Sequence, residues 1–246
     1  MDLLFWGSAG AIFVASVLKG TVGMGFPIIV TPLIALLSDV PTAVVLSLIP
    51  NICMDLFQSF FRPWKPEDVR RILPLLLTGV VGIVVGTMLL ATLSPRVLRL
   101  CLGFVVLGFV VSQLLPWKLT LPGSQLALWS AATGMVSGVI GGMTNVFGPP
   151  LVLFLYALRL DKASFVQSIG AAFLIFKLTQ VAATYQWDLW TPGLATMSLP
   201  LTGVALMGFW CGRRFHARLP QATFNRAVLL VLFVAGVSLV VRAMGN

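Results

Sequence analysis

The stretch GTVGMGFPIIVTPL, residues 20–33, places three glycines and two prolines inside one of the most apolar regions of the chain. Both residue types weaken a helix, because glycine loses the most conformational entropy on folding and proline lacks a backbone N–H. The stretch therefore predicts a helix that is interrupted after Gly20 and resumes as a second, short helix over 26–37.

The same pattern returns 118 residues later as GVIGGMTNVFGPPL, residues 138–151, and a second set of matches follows at an offset of 126. Self-similarity at a fixed interval indicates an internal repeat. We infer a tandem duplication with a first repeat at 1–117 and a second repeat at 118–246. The matched pairs are Gly20 with Gly138, Gly23 with Gly141, Pro32 with Pro150, Leu33 with Leu151, Pro74 with Pro200, Gly82 with Gly208, Gly86 with Gly212 and Leu93 with Leu219.

The composition around these repeats is that of a membrane protein. Of the 246 residues, 59% are hydrophobic and only 9% are charged, and the mean hydropathy is +1.02. Globular burial does not account for these values, whereas several of the apolar segments reach the ~20 residues that a membrane helix needs. The apolar runs are continuous rather than alternating, which argues against a β-barrel and predicts an all-α polytopic fold. The charge-poor segments are 3–18, 22–38, 42–61, 72–94, 97–115, 124–140, 146–158, 163–187, 189–212 and 223–243.

The net charge of +9 resides in short loops and forms no groove-lining element, so we expect no nucleic-acid partner. The basic loops at 62–71 and 213–218 indicate the cytoplasmic side of a lipid bilayer. Five segments per half is an odd number, so the second repeat enters the membrane inverted. A re-entrant hairpin formed by the first two segments gives the same result. One broken helix crossing once would make the repeats parallel and separate the two basic loops, and is disfavoured.

Breaks in membrane helices indicate a site, because unsatisfied backbone groups in hydrocarbon cost several kcal/mol each and must face protein or water. In inverted-repeat transporters, half-helix N-termini direct N–H groups at anionic substrates near the midplane. We expect the half-helices at 26–37 and 146–158 to form two walls of a pocket for a small anion. The alternative is that the glycines serve close helix packing. The candidate substrate-binding residues near the breaks are Lys19, Thr21, Gly23, Gly25, Thr31, Gly141, Gly142, Thr144 and Asn145.

Asp55 and Lys177 are ionisable residues inside predicted spans, where charges are costly and therefore often functional. Each lies in the third segment of its half. In an inverted arrangement each is ~10 Å deep from opposite faces, which leaves them ~10 Å apart in a ~30 Å core. We therefore treat them separately, Lys177 as a substrate-binding cation and Asp55 as a group that carries a coupling proton. The alternatives are that Lys177 snorkels to the interface and that Asp55 pairs with a neighbouring helix.

The sequence offers little support for catalysis. The cysteines at 53, 101 and 211 are far apart, and we predict neither a metal site nor a disulfide. His216 is the only histidine, and the chain has no nucleotide-binding P-loop sequence. We expect no enzyme activity and no cofactor. A membrane-embedded thiol- or lipid-modifying enzyme and an accessory subunit stay as alternatives, and a homodimer stays open.

Three stretches resemble the TauE/SafE sulfite exporter family: GTVGMGFPIIVTPLIALL, SGVIGGMTNVFGPPLVLFLYAL and GLATMSLPLTGVALMGFWCGRRFHARLP. The resemblance spans nearly the whole chain and includes its size, its duplication and the glycine-rich opening of each half. It implies transport of a sulfur-containing anion, such as sulfite or a sulfonate, across a bacterial inner membrane. Without this resemblance, the residues themselves predict only a membrane transporter whose expected substrate is an anion.

Overall fold

A computed structural model describes residues 2–60, 65–115, 125–215 and 221–245, and over these residues the regular structure is helical throughout. Seven of the helices are long and apolar enough to span a membrane, namely α1, α3, α4, α5, α6, α8 and α9 as defined below. The predicted all-α polytopic fold is confirmed. The helices are α1 Asp2–Val22, α2 Phe26–Leu37, α3 Val40–Ser59, α4 Pro66–Thr92, α5 Pro95–Leu114, α6 Leu126–Thr144, α7 Gly148–Ala157, α8 Lys162–Gln186, α9 Pro192–Phe215 and α10 Gln221–Met244.

The helical structure is interrupted at both glycine-rich stretches. Between α1 and α2, Gly23 and Gly25 have φ angles of 88° and 102°, in the left-handed region that glycine adopts without a steric penalty. Between α6 and α7, Asn145 has a φ of 62°. We call residues 23–25 the first break and 145–147 the second break. The short helix predicted at 26–37 is confirmed, whereas α7 is shorter at both ends than the predicted 146–158.

The two short helices reach only part of the way through a bilayer. With 12 residues in α2 and 10 in α7, they measure about 18 and 15 Å against a hydrocarbon core of ~30 Å. Helix α2 returns along α1, since Leu37 at its end contacts Gly7 near the start of α1. The first two segments therefore form a helical hairpin, which excludes a single crossing by one broken helix.

Close contacts between the halves are made at glycines. Helix α1 packs on α9, and α6 packs on α4. A Cβ atom at any of six glycines would lie 2.1–2.7 Å from an atom of the opposing helix, so no larger residue fits without a shift. Packing of small residues in this way lets membrane helices approach closely. At these positions the packing alternative accounts for the repeated glycines: Gly20, Gly208 and Gly212 between α1 and α9, and Gly82, Gly86 and Gly138 between α4 and α6.

The packing partners exchange between the two halves. The first helix of each half contacts the fourth helix of the other half: α1 contacts α9, and α6 contacts α4. In addition, α3 contacts α8, and α5 contacts α10. Helices α1 and α9 run parallel, because Phe13 lies beside Gly208 and Val17 beside Gly212. This exchange is consistent with the inverted repeat that we infer from the sequence. The boundary between 117 and 118 lies outside the described residues.

One face of the helix bundle collects basic side chains. It includes the end of α3, the starts of α4 and α8 and the end of α9, and Lys65 and Asp161 form an exposed ion pair there at 2.8 Å. We call this surface the basic face, and the positive-inside rule orients it toward the cytoplasm. Arg62, Lys118, His216 and Arg218 lie outside the described residues. The basic face carries Lys65, Arg70, Arg71, Lys162, Arg213 and Arg214.

Candidate functional site

Lys19 lies at the centre of the site rather than in a loop. The sequence places it between two apolar segments, but the structure places it in the last turn of α1, fully buried. Its Nζ donates hydrogen bonds to Asn51 Oδ1 at 2.5 Å and to Asp55 Oδ1 on α3. A buried lysine is tolerated at this position because a carboxylate and an amide satisfy it.

Asp55 is the counter-ion of Lys19. Both side chains have an exposure of 0%, and two buried charges are retained only when they are paired and hydrogen-bonded. Asp55 thus pairs with a neighbouring helix, α1, and its role as a coupling group stays a prediction. The second carboxylate oxygen, Oδ2, has no hydrogen-bond partner among the described residues.

Lys177 is also fully buried, in the middle of α8. The alternative in which it snorkels to the interface is therefore wrong. Within the described ranges its Nζ has no hydrogen-bond partner, and it lies 4.5 Å from the centroid of the Phe147 ring. Lys177 Nζ makes no hydrogen bond to Asp55, and the separate roles expected of these two residues stay predictions. We call Lys19, Asp55 and Lys177 the buried cluster, because all three side chains are fully buried.

Aromatic rings connect the two buried ammonium groups. Phe147, in the second break, packs on Phe173 with ring centroids 5.3 Å apart. Lys19 Nζ lies 5.9 Å from the Phe173 ring and 6.0 Å from the Phe26 ring. These distances lie within the range of cation–π attraction. The rings cover both charges and separate them from the apolar cavity described below.

A glutamine joins each break, or the helix end just before it, to a central helix. Gln58 Nε2 on α3 donates to Gly23 O at 2.7 Å. Gln180 Nε2 on α8 donates to Gly141 O at 3.2 Å and to Gly142 O at 3.0 Å. The bonds to Gly23 O and Gly142 O satisfy carbonyl groups at helix ends, where the regular helical partner is missing, whereas Gly141 O also accepts its regular helical bond from Asn145 N at 2.6 Å.

Asn145 joins the second break to the first half. Its Nδ2 donates to Thr31 Oγ1 on α2 at 3.1 Å and to Ser47 Oγ on α3 at 2.6 Å. The structure thus brings two of the sequence-predicted residues, Thr31 and Asn145, into direct contact. Gly141 faces the Phe147 ring, where an added Cβ would lie 2.1 Å from a ring carbon.

The other predicted residues near the breaks have local roles. Thr21 donates to Leu18 O at 2.8 Å and Thr144 donates to Ile140 O at 2.7 Å, so both hydroxyl groups are bonded within their own helices. Gly142 packs on α4, where an added Cβ would lie 2.5 Å from Ile83 O. These contacts do not direct the three residues at a common point.

Both breaks line one cavity of about 290 Å³. The cavity lies between the starts of α2 and α7, as expected for a pocket with two walls, but its lining is mostly apolar. Prolines in the first turns of both short helices lack N–H groups, so these N-termini offer fewer donors than the pattern suggests. Its lining includes Gly25, Ile28, Val146, Phe147, Phe173 and Leu232.

A second cavity of about 470 Å³ opens near the basic face. It brings cationic side chains from three helices, α1, α8 and α9, to the first break. Val22, which directly precedes the first break, lines both cavities. This part of the chain therefore forms the wall between them. We call this second cavity the basic vestibule; its lining includes Lys19, Thr21, Gly23, Gln58, Lys162 and Arg213.

Reasoning from sequence missed Asn51, Phe147 and Phe173. Asn51 precedes Asp55 by one helical turn, and residues four apart lie on the same helix face. That spacing was the available signal for Asn51. Aromatic residues are too common in apolar segments for Phe147 and Phe173 to stand out.

These features define a multi-pass α-helical membrane protein with two interrupted helices packed around buried charges. The profile of the family described as Sulfite exporter TauE/SafE matches residues 8–239. The chain therefore belongs to the TauE/SafE family, and the resemblance seen in the sequence is confirmed.

A curated relative supports the same assignment. The chain is 29% identical over 173 residues to the "Probable sulfite/organosulfonate exporter TauE" of Cupriavidus necator, and the alignment covers 66% of this chain and 64% of that protein. No solved structure matches the chain. Together with the seven apolar helices, the family makes this a multi-pass protein of the bacterial inner membrane.

Proposed function

We propose that the protein is a secondary transporter that moves a sulfur-containing anion, such as sulfite or a sulfonate, across the inner membrane. The observation that carries this proposal is the buried Nζ of Lys177, which has no hydrogen-bond partner in the described part of the chain. An ionisable group held inside a membrane span normally marks a substrate or ion pathway. The family and the name of the curated relative point to sulfur anions.

The basic vestibule supplies a route toward this site. Lys162 and Arg213 line its wall together with Lys19, and clefts lined by one sign of charge concentrate ions of the opposite sign. An anion in the vestibule reaches Lys19 first, and beyond it lie the Phe173 and Phe147 rings that cover Lys177. The substrate-binding role of Lys19, Gly23 and Lys177 in this scheme is a proposal.

Alternating access in this scheme arises from movement of the two breaks against α3 and α8. Gln58 and Gln180 hold the breaks to these helices, so rearrangement of either hydrogen bond would open one side. Asp55 is the proposed coupling group, since a proton on its carboxylate would weaken its pairing with Lys19 and release that ammonium group to the anion.

The experiment is uptake of labelled sulfite, taurine, further sulfonates and carboxylates into proteoliposomes, with and without an imposed pH gradient. We expect saturable transport of a sulfur anion, loss of transport in Lys177→Met, and a response to the gradient. The control is Lys65→Met, which removes a lysine whose side chain is 57% exposed. Absence of sulfur-anion transport in vesicles that contain folded protein would overturn the proposal.

A further inference from the structure

We propose that the buried cluster selects monoanions over dianions because of its net charge, to which Asp55 contributes the one negative charge. This inference rests on the proposed function and concerns the same site. The structural relationship behind it is the arrangement of two lysines and one aspartate, all fully buried. Lys19 is paired with Asp55, and two aromatic rings in contact with each other lie between Lys19 and Lys177.

The charge count of the cluster is the first step. A bound anion favours the protonated form of Lys177, and with Lys19 and Asp55 paired the cluster then carries one net positive charge. An uncompensated charge in a low-dielectric interior is costly. One bound monoanion makes the cluster neutral, whereas a dianion leaves one net negative charge. The cluster with Lys177 protonated is therefore complementary in charge to a monoanion.

The hydrogen-bonding groups of the cluster are the second step. Lys177 Nζ and Asn51 Nδ2 are buried donors that lack a partner among the residues described. The amide oxygen of Asn51 is already engaged by Lys19, so its amide group has only donors left to offer. Oxygen atoms of a sulfonate or of hydrogen sulfite would accept from both groups in charge-assisted hydrogen bonds.

The unpaired oxygen of Asp55 is the third step. Oδ2 accepts no hydrogen bond from any described residue and therefore keeps its negative potential. Like charges in a site of low dielectric repel strongly, and discrimination between ligands often depends on such a repulsive element. An anion with one negative charge balances Lys177. A second negative charge on the anion is repelled by Asp55.

The test compares methanesulfonate, a monoanion, with sulfate, a dianion of similar size. Both are measured as competitors of labelled sulfonate uptake by the full chain in proteoliposomes, and as ligands that raise the unfolding temperature of the purified protein. For the unaltered protein we expect methanesulfonate to bind at least about tenfold more tightly than sulfate.

Two variants change the charge count of the cluster in a defined way, and a third serves as a control. Asp55→Asn raises the net charge to +2, and we expect the preference to move toward sulfate by at least about tenfold. Lys19→Met combined with Asp55→Asn returns the charge to +1 and retains Lys177, so the preference for methanesulfonate should return. The matched control is Asp39→Asn, because Asp39 caps the other end of the same helix through its bond to Thr42 N and asparagine is an equally good cap.

The outcomes separate this inference from the proposed function. Equal binding of the two anions by the unaltered protein, or an unchanged ratio in Asp55→Asn, would overturn the inference alone. Selective binding of methanesulfonate without transport would overturn the proposed function alone, and failure to bind or transport either anion would overturn both. If Asp55→Asn does not fold, two other variants test the inference. The double variant should prefer methanesulfonate, and Lys177→Met should bind neither anion.

Discussion

Gln58 in the first repeat and Gln180 in the second make equivalent hydrogen bonds. Each donates its amide N–H to a backbone carbonyl at or directly before the helix break of its own repeat. The same interval of 122 residues separates Gln58 from Gln180 and Asp55 from Lys177. Each glutamine therefore lies one helical turn beyond a buried charge, on the same central helix. A displacement of that turn when an anion binds would act directly on the break that the glutamine holds.

Replacing Gln180 by alanine should weaken the attachment of the second break. Hydrogen bonds between membrane helices contribute about 0.6 to 2 kcal/mol, and we expect a decrease of that size in the free energy of unfolding, with at least a several-fold loss of transport. Thermal unfolding in detergent and uptake in proteoliposomes measure the two effects. Gln186→Ala, at an exposed position of the same helix, is the control, and equal behaviour of the two variants would contradict the prediction.

Two substitutions at Asn145 should separate its side-chain role from its backbone role. Asn145→Gly keeps the φ of 62° without strain but loses the bonds to Thr31 and Ser47. Asn145→Ala loses the same bonds and adds a penalty of roughly 1 to 2 kcal/mol for a left-handed backbone. We expect stability to fall in the order asparagine, glycine, alanine. Thermal unfolding of the three proteins measures this order, and equal stability of the two variants would show that the backbone is not strained there.

The sequence predicts the breaks well because glycine and proline act on the backbone locally. The bounds of α2 match the expected 26–37, and Gly23 and Gly25 adopt the conformations that glycine favours. The function of the other repeated glycines could not be separated from sequence alone. Gly20 and Gly138 align with each other like Gly23 with Gly141, yet they serve contacts between helices.

The position of Lys19 could not be predicted, because its partners lie far away along the chain. Asn51 and Asp55 follow it by 32 and 36 residues, and no local pattern indicates that α3 returns to the end of α1. The sequence therefore indicates Lys19 as a candidate near the first break, but not its pairing with Asn51 and Asp55. By contrast, Lys177 stood out as a charge inside a long apolar run, where the cost of burial itself is the signal.

Gly86→Leu should disrupt the contact between α4 and α6. A Cβ atom at Gly86 would lie 2.2 Å from Val139 O, a backbone atom that cannot move without shifting the whole helix. Overpacking of this kind costs about 1 to 3 kcal/mol or more, so the yield of folded protein and its unfolding temperature should fall. Gly108→Leu is the control, because nothing lies within 4 Å of its added Cβ. A tolerated leucine at 86 would show that the helices are not in close contact there.

Phe147 should control access to Lys177. Its ring is buried, with an exposure of 1%, and covers the ammonium group at 4.5 Å. In a background with Cys53, Cys101 and Cys211 changed to alanine, which a carrier without a catalytic thiol should tolerate, Lys177→Cys provides a single thiol whose reaction with a small charged reagent can be timed. We expect slow reaction with Phe147 present, and a rate at least about tenfold higher with Phe147→Ala, since a buried thiol reacts only when the site opens.

Gly141→Ala offers an independent way to move the same ring. Its added Cβ would lie 2.1 Å from a carbon of the Phe147 ring, so the ring must shift while the phenyl group itself is retained. The thiol at 177 should then also react faster, and Gly203→Ala, with open space around its Cβ, should leave the rate unchanged. Acceleration by Phe147→Ala but not by Gly141→Ala would mean that the size of the ring, rather than its position over residue 177, limits access.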